Sequence, residues 1–192
     1  SSCMSTNKFI GMGGANGTKE DLPVGIEVLI EMAEYCERIY DEGKEIEGDE
    51  FAYNVVQDRG VTIISIRGTD NAKNVLTDLD ARPFKDRKLG VQVHRGFRDA
   101  SEKLKNDIIE NVPLEENIIL TGHSLGGAIA QILGLWFEDD AYEVQIYTFG
   151  SPSVMIEQMW EDGHFRVYLE NDPVPFLPPF PYMHWGIRIN AE

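Results

Sequence analysis

The chain has 192 residues, enough for one domain with a substantial core and too few for two. Its 42% hydrophobic and 26% charged residues are ordinary for a globular protein, but the net charge of −16 excludes nucleic acid and anionic membrane surfaces as general partners, because phosphate is repelled. No apolar run approaches the ~18 residues of a spanning helix. The polar, glycine-rich stretch from Ser1 to Gly17 lacks the apolar core of a secretory signal, which implies a cytoplasmic protein or a secreted one in mature form.

After an irregular lead-in over 1–23, apolar residues Val28, Leu29, Met32, Ala33, Cys36, Ile39 and Tyr40 recur at helical spacing, and Gly43 stops the helix. The acidic residues 45–50 form a turn. Two strands follow, Phe51 to Asp58 and the nearly continuous Val61 to Ile66, joined by a turn at Gly60. Residues 70–80 read as a short amphipathic helix with Ala72, Val75, Leu76 and Leu79 on one face. Pro83 ends it, and an irregular polar stretch leads to Val91–Phe97. A helix is expected from Arg98 to Asn111. Further on come a strand from Val144 to Phe149, a short helix ending near Trp160, and strands Phe165–Leu169 and Gly186–Asn190. Strands alternate with helices from residue 61 on, which predicts an α/β fold with a mostly parallel central sheet and helices on both faces, in one domain spanning 1–192.

Between these elements lies the stretch that carries chemistry. Ile118, Ile119 and Leu120 form a buried-strand run, Gly122-His123-Ser124-Leu125-Gly126 follows, and Leu125, Ala128, Ile129, Ile132 and Leu133 continue at helical spacing. Strand, G-x-S-x-G and helix in that order describe a nucleophile elbow, a strained turn that lifts the serine hydroxyl clear of the sheet. Gly122 and Gly126 sit where a Cβ would clash. The plainer alternative is a turn whose serine caps the helix.

A serine hydroxyl is a weak nucleophile without a base and a group to orient that base. On such a scaffold both follow the serine, in loops beyond strand ends. His123 should point behind the elbow, and His164 stands before a strand, at the opposite edge of the sheet. His184, in the loop before the last strand, is the candidate base, against the alternative of an ordinary loop histidine. Asp172, stiffened between Asn171 and Pro173 after a strand, is the candidate acid, with Glu170 as fallback. Candidate oxyanion donors are the Leu125 N–H and, from the loop after an earlier strand, Thr69 of Arg67-Gly68-Thr69, against the alternative of a simple strand-end turn. Neither cysteine has nucleophile or metal-ligand company. A Cys3–Cys36 bridge is conceivable, although a tail is a poor anchor for one. The four histidines form no metal motif, so neither metal nor cofactor is expected.

These residues together resemble the class 3 lipase family of α/β-hydrolases. Ala33-Glu34-Tyr35-Cys36 is similar to its N-terminal helix, Arg67-Gly68-Thr69 to its oxyanion strand end and Asn74–Leu79 to its lid. Val93-His94-Arg95-Gly96-Phe97 and Thr148-Phe149-Gly150-Ser151-Pro152 resemble two further motifs. Asn171–Pro175 and Tyr182–Gly186 resemble the acid and histidine loops. The resemblance implies Ser124 as nucleophile, His184 as base, Asp172 as orienting acid, Thr69 and Leu125 as oxyanion hole, and 70–92 as lid segment. It implies a serine hydrolase of acylglycerols or other lipid esters in transient contact with a lipid interface. Phospholipase A1 and feruloyl-type esterase are alternatives, and a non-catalytic lipid- or partner-binding protein is the rival outside enzymes.

Three features bear on substrate. Val75 stands where the family's lid often has tryptophan, and the surrounding residues are charged. The apolar loop from Pro173 to Met183 could line an acyl pocket or belong to the core. Eight of the 17 basic residues fall between Arg82 and Lys105, either as a site for an anionic head group or as a solvated face balancing nearby acids.

Overall fold

A computed structural model describes residues 24–42, 44–45, 51–68, 71–157, 159, 163–179 and 181–191. The elements in chain order are α1 (Ile26–Glu42), β1 (Lys44–Glu45), β2 (Ala52–Asp58), β3 (Val61–Arg67), α2 (Ala72–Asp78), β4 (Pro83–Lys85), β5 (Gln92–His94) and α3 (Arg95–Asn111). They continue with β6 (Asn117–His123), α4 (Leu125–Asp139), β7 (Glu143–Phe149), β8 (His164–Tyr168), a 3₁₀ turn (Val174–Phe176) and β9 (Ile187–Asn190). Seven strands form one sheet in the order β1-β2-β3-β6-β7-β8-β9. β1, β2 and β3 pair antiparallel, and every pairing from β3 to β9 is parallel.

The continuous apolar runs of the central strands follow from burial on both faces. Ile64, Ile66, Ile118, Leu120 and Ile146 face a core shared with Leu104 and Ile108 of α3 and with Ile129, Ile132 and Leu133 of α4. The alternate residues Val61, Ile63, Ile119, Tyr147 and Phe165 face α1 through Val28, Leu29 and Met32. Because the strands are parallel, their carboxyl ends share one edge: Ile66 pairs with Gly122, His123 with Phe149 and Phe149 with Val167. That edge of an open α/β sheet is where ligand sites form.

Three local expectations are corrected. The stretch after Pro83 is not irregular, since β4 pairs antiparallel with β5. α3 begins at Arg95 rather than Arg98, because His94 Nδ1 accepts from Phe97 N at 3.2 Å and caps the helix three residues earlier. No helix forms over 151–157. There Met155 makes single antiparallel bridges to Val93 and Met183, and extended backbone knits three loops together. Of the turn expected over 45–50, Glu45 belongs to β1, and residues 46–50, like Gly43 and Cys3, lie outside the described residues. Cys36 is a free, buried thiol hydrogen-bonded to Thr121, and burial pushes it up to about 12.

Candidate active site

Ser124 connects β6 to α4 with φ 53° and ψ −122°, a conformation that strains any residue with a Cβ. The neighbours enforce it. A Cβ on Gly122 would lie 2.3 Å from the Gly126 carbonyl, and one on Gly126 would lie 2.0 Å from the Ile66 carbonyl oxygen. Gly122 therefore admits the helix, while Gly126 admits β3, a contact the sequence reading did not name. The Ser124 N–H donates to Phe149 O at 2.8 Å, tying the turn to β7. Although Ser124 stands in the N-cap position, its side chain makes no capping bond, and among the described residues its Oγ has no hydrogen-bond partner. The helix-cap alternative therefore fails.

As the first residue of α4, Leu125 has an N–H with no acceptor in its own helix. Gly68 is packed directly on it, and a Cβ there would come within 2.7 Å of Leu125 Cβ. The end of β3 thus abuts the elbow. Thr69 lies outside the described residues.

Asp172 sits on the same carboxyl edge. Its Oδ1 accepts from Val174 N at 3.0 Å, which turns the loop toward the 3₁₀ segment. Its Oδ2 lies 2.8 Å from where a Cβ on Gly150 would stand, and Gly150 itself has φ +59°. Burial lowers the pKa of His123, and the Asp172 charge opposes that shift. His123 borders a mostly apolar hollow of about 350 Å³ with Ala33, Cys36 and Phe149, on the α1 side and away from the serine hydroxyl.

His184 is placed differently from the expectation. Its Nε2 faces the Pro175 carbonyl and lies 3.4 Å from Ser153 Oγ, while Nδ1 has no partner among the described residues. A carbonyl oxygen only accepts, so Nε2 carries the proton and Nδ1 the lone pair. Burial, then the Arg166 charge, lower its pKa to about 4, against the raising effect of Pro175. In this arrangement it bonds neither Ser124 nor Asp172. Nor do the others reach the serine: His94 caps α3, and His164 bonds Thr148 Oγ1 at 2.9 Å. Ser124, Leu125 and Asp172 share one edge of the sheet, and the imidazole stands apart from them.

A polar chain missed in the sequence reading holds the histidine loop in place. Trp185 Nε1 donates to Gln131 Oε1 at 2.8 Å, and Gln131 Nε2 donates to Ser151 Oγ at 2.8 Å. Ser151 of the Thr148–Pro152 motif was the available signal.

The 70–92 segment divides in two. In α2, Val75 and Leu76 are buried against the core. Beyond it, Gly96 N donates to Asp80 O at 2.8 Å, and Tyr182 bonds Ala81 O. The buried Asp86 accepts from Trp136 Nε1 at 3.1 Å and from Leu89 N at 2.9 Å. Much of the basic stretch is ion-paired. Arg82 pairs with Asp80, Lys88 and Lys105 with Asp140, and Arg98 with Asp86, Asp99 and Glu102. Its cleft of about 480 Å³ is walled by Trp136, twelve residues along α4 from Ser124, or ~18 Å at the helical rise.

Comparison with known proteins bears on this arrangement. The sequence pattern of the family described as "Lipase (class 3)" matches residues 63–182, more than half of the chain. The chain belongs to the class 3 lipase family. A secreted mono- and diacylglycerol lipase of Fusarium solani is 33% identical to this lipase-family chain over 138 residues, covering 64% of it and 41% of the relative. A lipase of Rhizopus niveus is 28% identical, covering 80% and 46%. The chain thus spans about half the length of the curated relatives it matches. Among solved structures, the Rhizomucor miehei triacylglyceride lipase superposes with a TM-score of 0.69 at 22% identity, covering 92% of this chain and 82% of that one. The fold is that of an α/β-hydrolase.

Proposed function

We propose that this class 3 lipase-family chain hydrolyses carboxylic esters of acylglycerols through an acyl-enzyme. The observation that carries the reading is the uncapped Ser124 hydroxyl, held in a strained turn next to Leu125, the first residue of α4. Ser124 attacks the ester carbonyl, and the tetrahedral oxyanion is received by Leu125 N–H and Thr69. A base takes the serine proton and returns it to the leaving alcohol, and water then releases the acid. Asp172 orients that base. His184, the histidine assigned by chain order, serves only after its ring swings off Pro175 and its proton passes from Nε2 to Nδ1. Nε2 can then meet Ser124 and Nδ1 Asp172.

The acylglycerol substrate is favoured by the mono- and diacylglycerol lipase named among the relatives. A phospholipid preference is weakened, because Arg82, Lys88, Arg98 and Lys105 of the basic stretch are ion-paired. Within the lid segment we assign movement to α2, since residues 80–92 are bonded into the domain. Contact with a lipid interface is assigned to Phe176, 65% exposed in the turn after Asp172, and no described helix is long and apolar enough to cross a membrane.

The test is hydrolysis of p-nitrophenyl butyrate together with labelling by a fluorophosphonate. Ser124→Ala should abolish both, and labelling retained in that variant would refute the nucleophile. His184→Gln should slow turnover by roughly 10⁴-fold or more, as loss of a triad member does. A wild-type rate in His184→Gln would remove His184 from the mechanism.

A further inference from the structure

The strands β8 and β9 carry a feature that ester chemistry does not use. Arg166 and Arg188 are register partners on these adjacent parallel strands. Neighbouring strands run ~4.8 Å apart, so partner side chains on one face stand side by side. Both guanidinium carbons lie over the ring of Tyr168, at 5.1 and 5.6 Å from its centroid. Two like charges therefore share one aromatic ring, and like charges opposed across strands destabilise a sheet.

Nothing described neutralises them. Arg166 is only 8% exposed, its Nε has no hydrogen-bond partner, and neither arginine pairs with a carboxylate among the described residues. Glu170, just beyond Tyr168, accepts from Asn190 Nδ2 at 3.2 Å. The flanking rings supply no counter-charge either. His164 and His184 both leave Nδ1 without a partner, and both are held neutral by burial and by the Arg166 charge. A buried arginine is ordinarily paired. Arg188 is exposed, so the pair opens to solvent along the edge strand.

We propose that Arg166 and Arg188 form a binding site for a phosphate group. Two guanidiniums present several N–H donors in fixed planar forks, the geometry that matches phosphate oxygens. Above pH 7 a phosphate or phosphomonoester carries close to two negative charges, which balances the pair, whereas a carboxylate balances half of it. Against a net charge of −16, diffuse anion accumulation is disfavoured, so binding here is local to the pair. The phosphate can be the free ion or a phosphomonoester head group.

Thermal unfolding at pH 7.5 in sodium phosphate and in sodium chloride of equal ionic strength tests the site. Phosphate should raise the Tm of the unmodified chain by roughly 5–10 °C once it is ~100-fold above its Kd. Arg188→Gln should lose that response. Arg188→Glu sets a carboxylate opposite Arg166, and should melt higher than the unmodified chain in chloride while ignoring phosphate. A ³¹P NMR titration with inorganic phosphate and with glycerol 3-phosphate reads binding directly. Broadening of both assigns a head-group site, and broadening of phosphate alone assigns the free ion. Equal Tm in the two salts, or a phosphate response surviving in Arg188→Gln, overturns the proposal. No outcome depends on the ester-hydrolase reading.

Discussion

At Ser124 two demands compete. A hydroxyl that is to react must be lifted out of the hydrogen bonds a helix N-terminus offers, and the backbone that lifts it is strained by ~1–3 kcal/mol. Ser124→Gly should therefore abolish ester hydrolysis yet raise Tm by roughly 2–4 °C, as expected for ~1 kcal/mol gained in a chain of this size. Ser124→Ala keeps the Cβ and the strain, so its Tm should stay near that of the unmodified chain. Differential scanning calorimetry of the three proteins checks this; a destabilised glycine variant would mean the turn is not strained. The elbow was legible because its cause is local: Gly122, Ser124 and Gly126 lie within five residues, and their spacing fixes the geometry. The place of Asp172 on the carboxyl edge was legible for a related reason, its loop being held by the Val174 N–H and the adjoining prolines. His184 was not, because chain order says which loop holds a histidine but not which atom its ring meets. Here that atom is the Pro175 oxygen, whose acceptor character fixes the tautomer.

Elements whose signal is a long apolar period were read correctly. β3 and α4 bury nearly every residue and β6 and β7 bury their middle stretches, and that burial is what a continuous run records. The short polar elements escaped. β4 and β5 have three residues each, too few to show a period, and they pair because Asp86 draws their loop onto Trp136, fifty residues away. The length of the movable cover turns on this anchor. Asp86→Ala would orphan the Trp136 indole N–H and the Leu89 amide and remove a partner of Arg98. Each buried donor left unpaired costs ~1–3 kcal/mol, so stability should drop by roughly 3 kcal/mol in urea unfolding. If residues 80–92 are a fixed strut, the ratio of activity on emulsified to dissolved ester should be unchanged in this variant. A changed ratio would extend the lid through the whole of 70–92 and refute its restriction to α2.

For the whole molecule, acid stability follows from where the histidines lie. Burial lowers His94 to about 4 and His164 to about 3, and burial with the Arg166 charge lowers His184 to about 4, all from an ordinary 6.5. Between pH 6.5 and about 4 the unfolded chain binds protons at these positions and the folded chain does not. Stability is thus present in full above 6.5 and is lost as pH falls toward the folded values, by about 1.4 kcal/mol per pH unit for each imidazole. His94 gives the effect a structural consequence, because its Nδ1 accepts the Phe97 N–H and cannot do so once protonated. Acid therefore removes the cap of α3, the helix that packs on the same core face as α4. His94→Asn keeps an acceptor at the cap without a titrating group. Its unfolding free energy, measured from pH 7 to 4, should fall less steeply than that of the unmodified chain by about one proton's worth. The two proteins share every other titrating group, so the difference between their curves isolates the imidazole. Parallel curves for the two proteins would show that the cap survives acid and that His94 is not held neutral in the folded state.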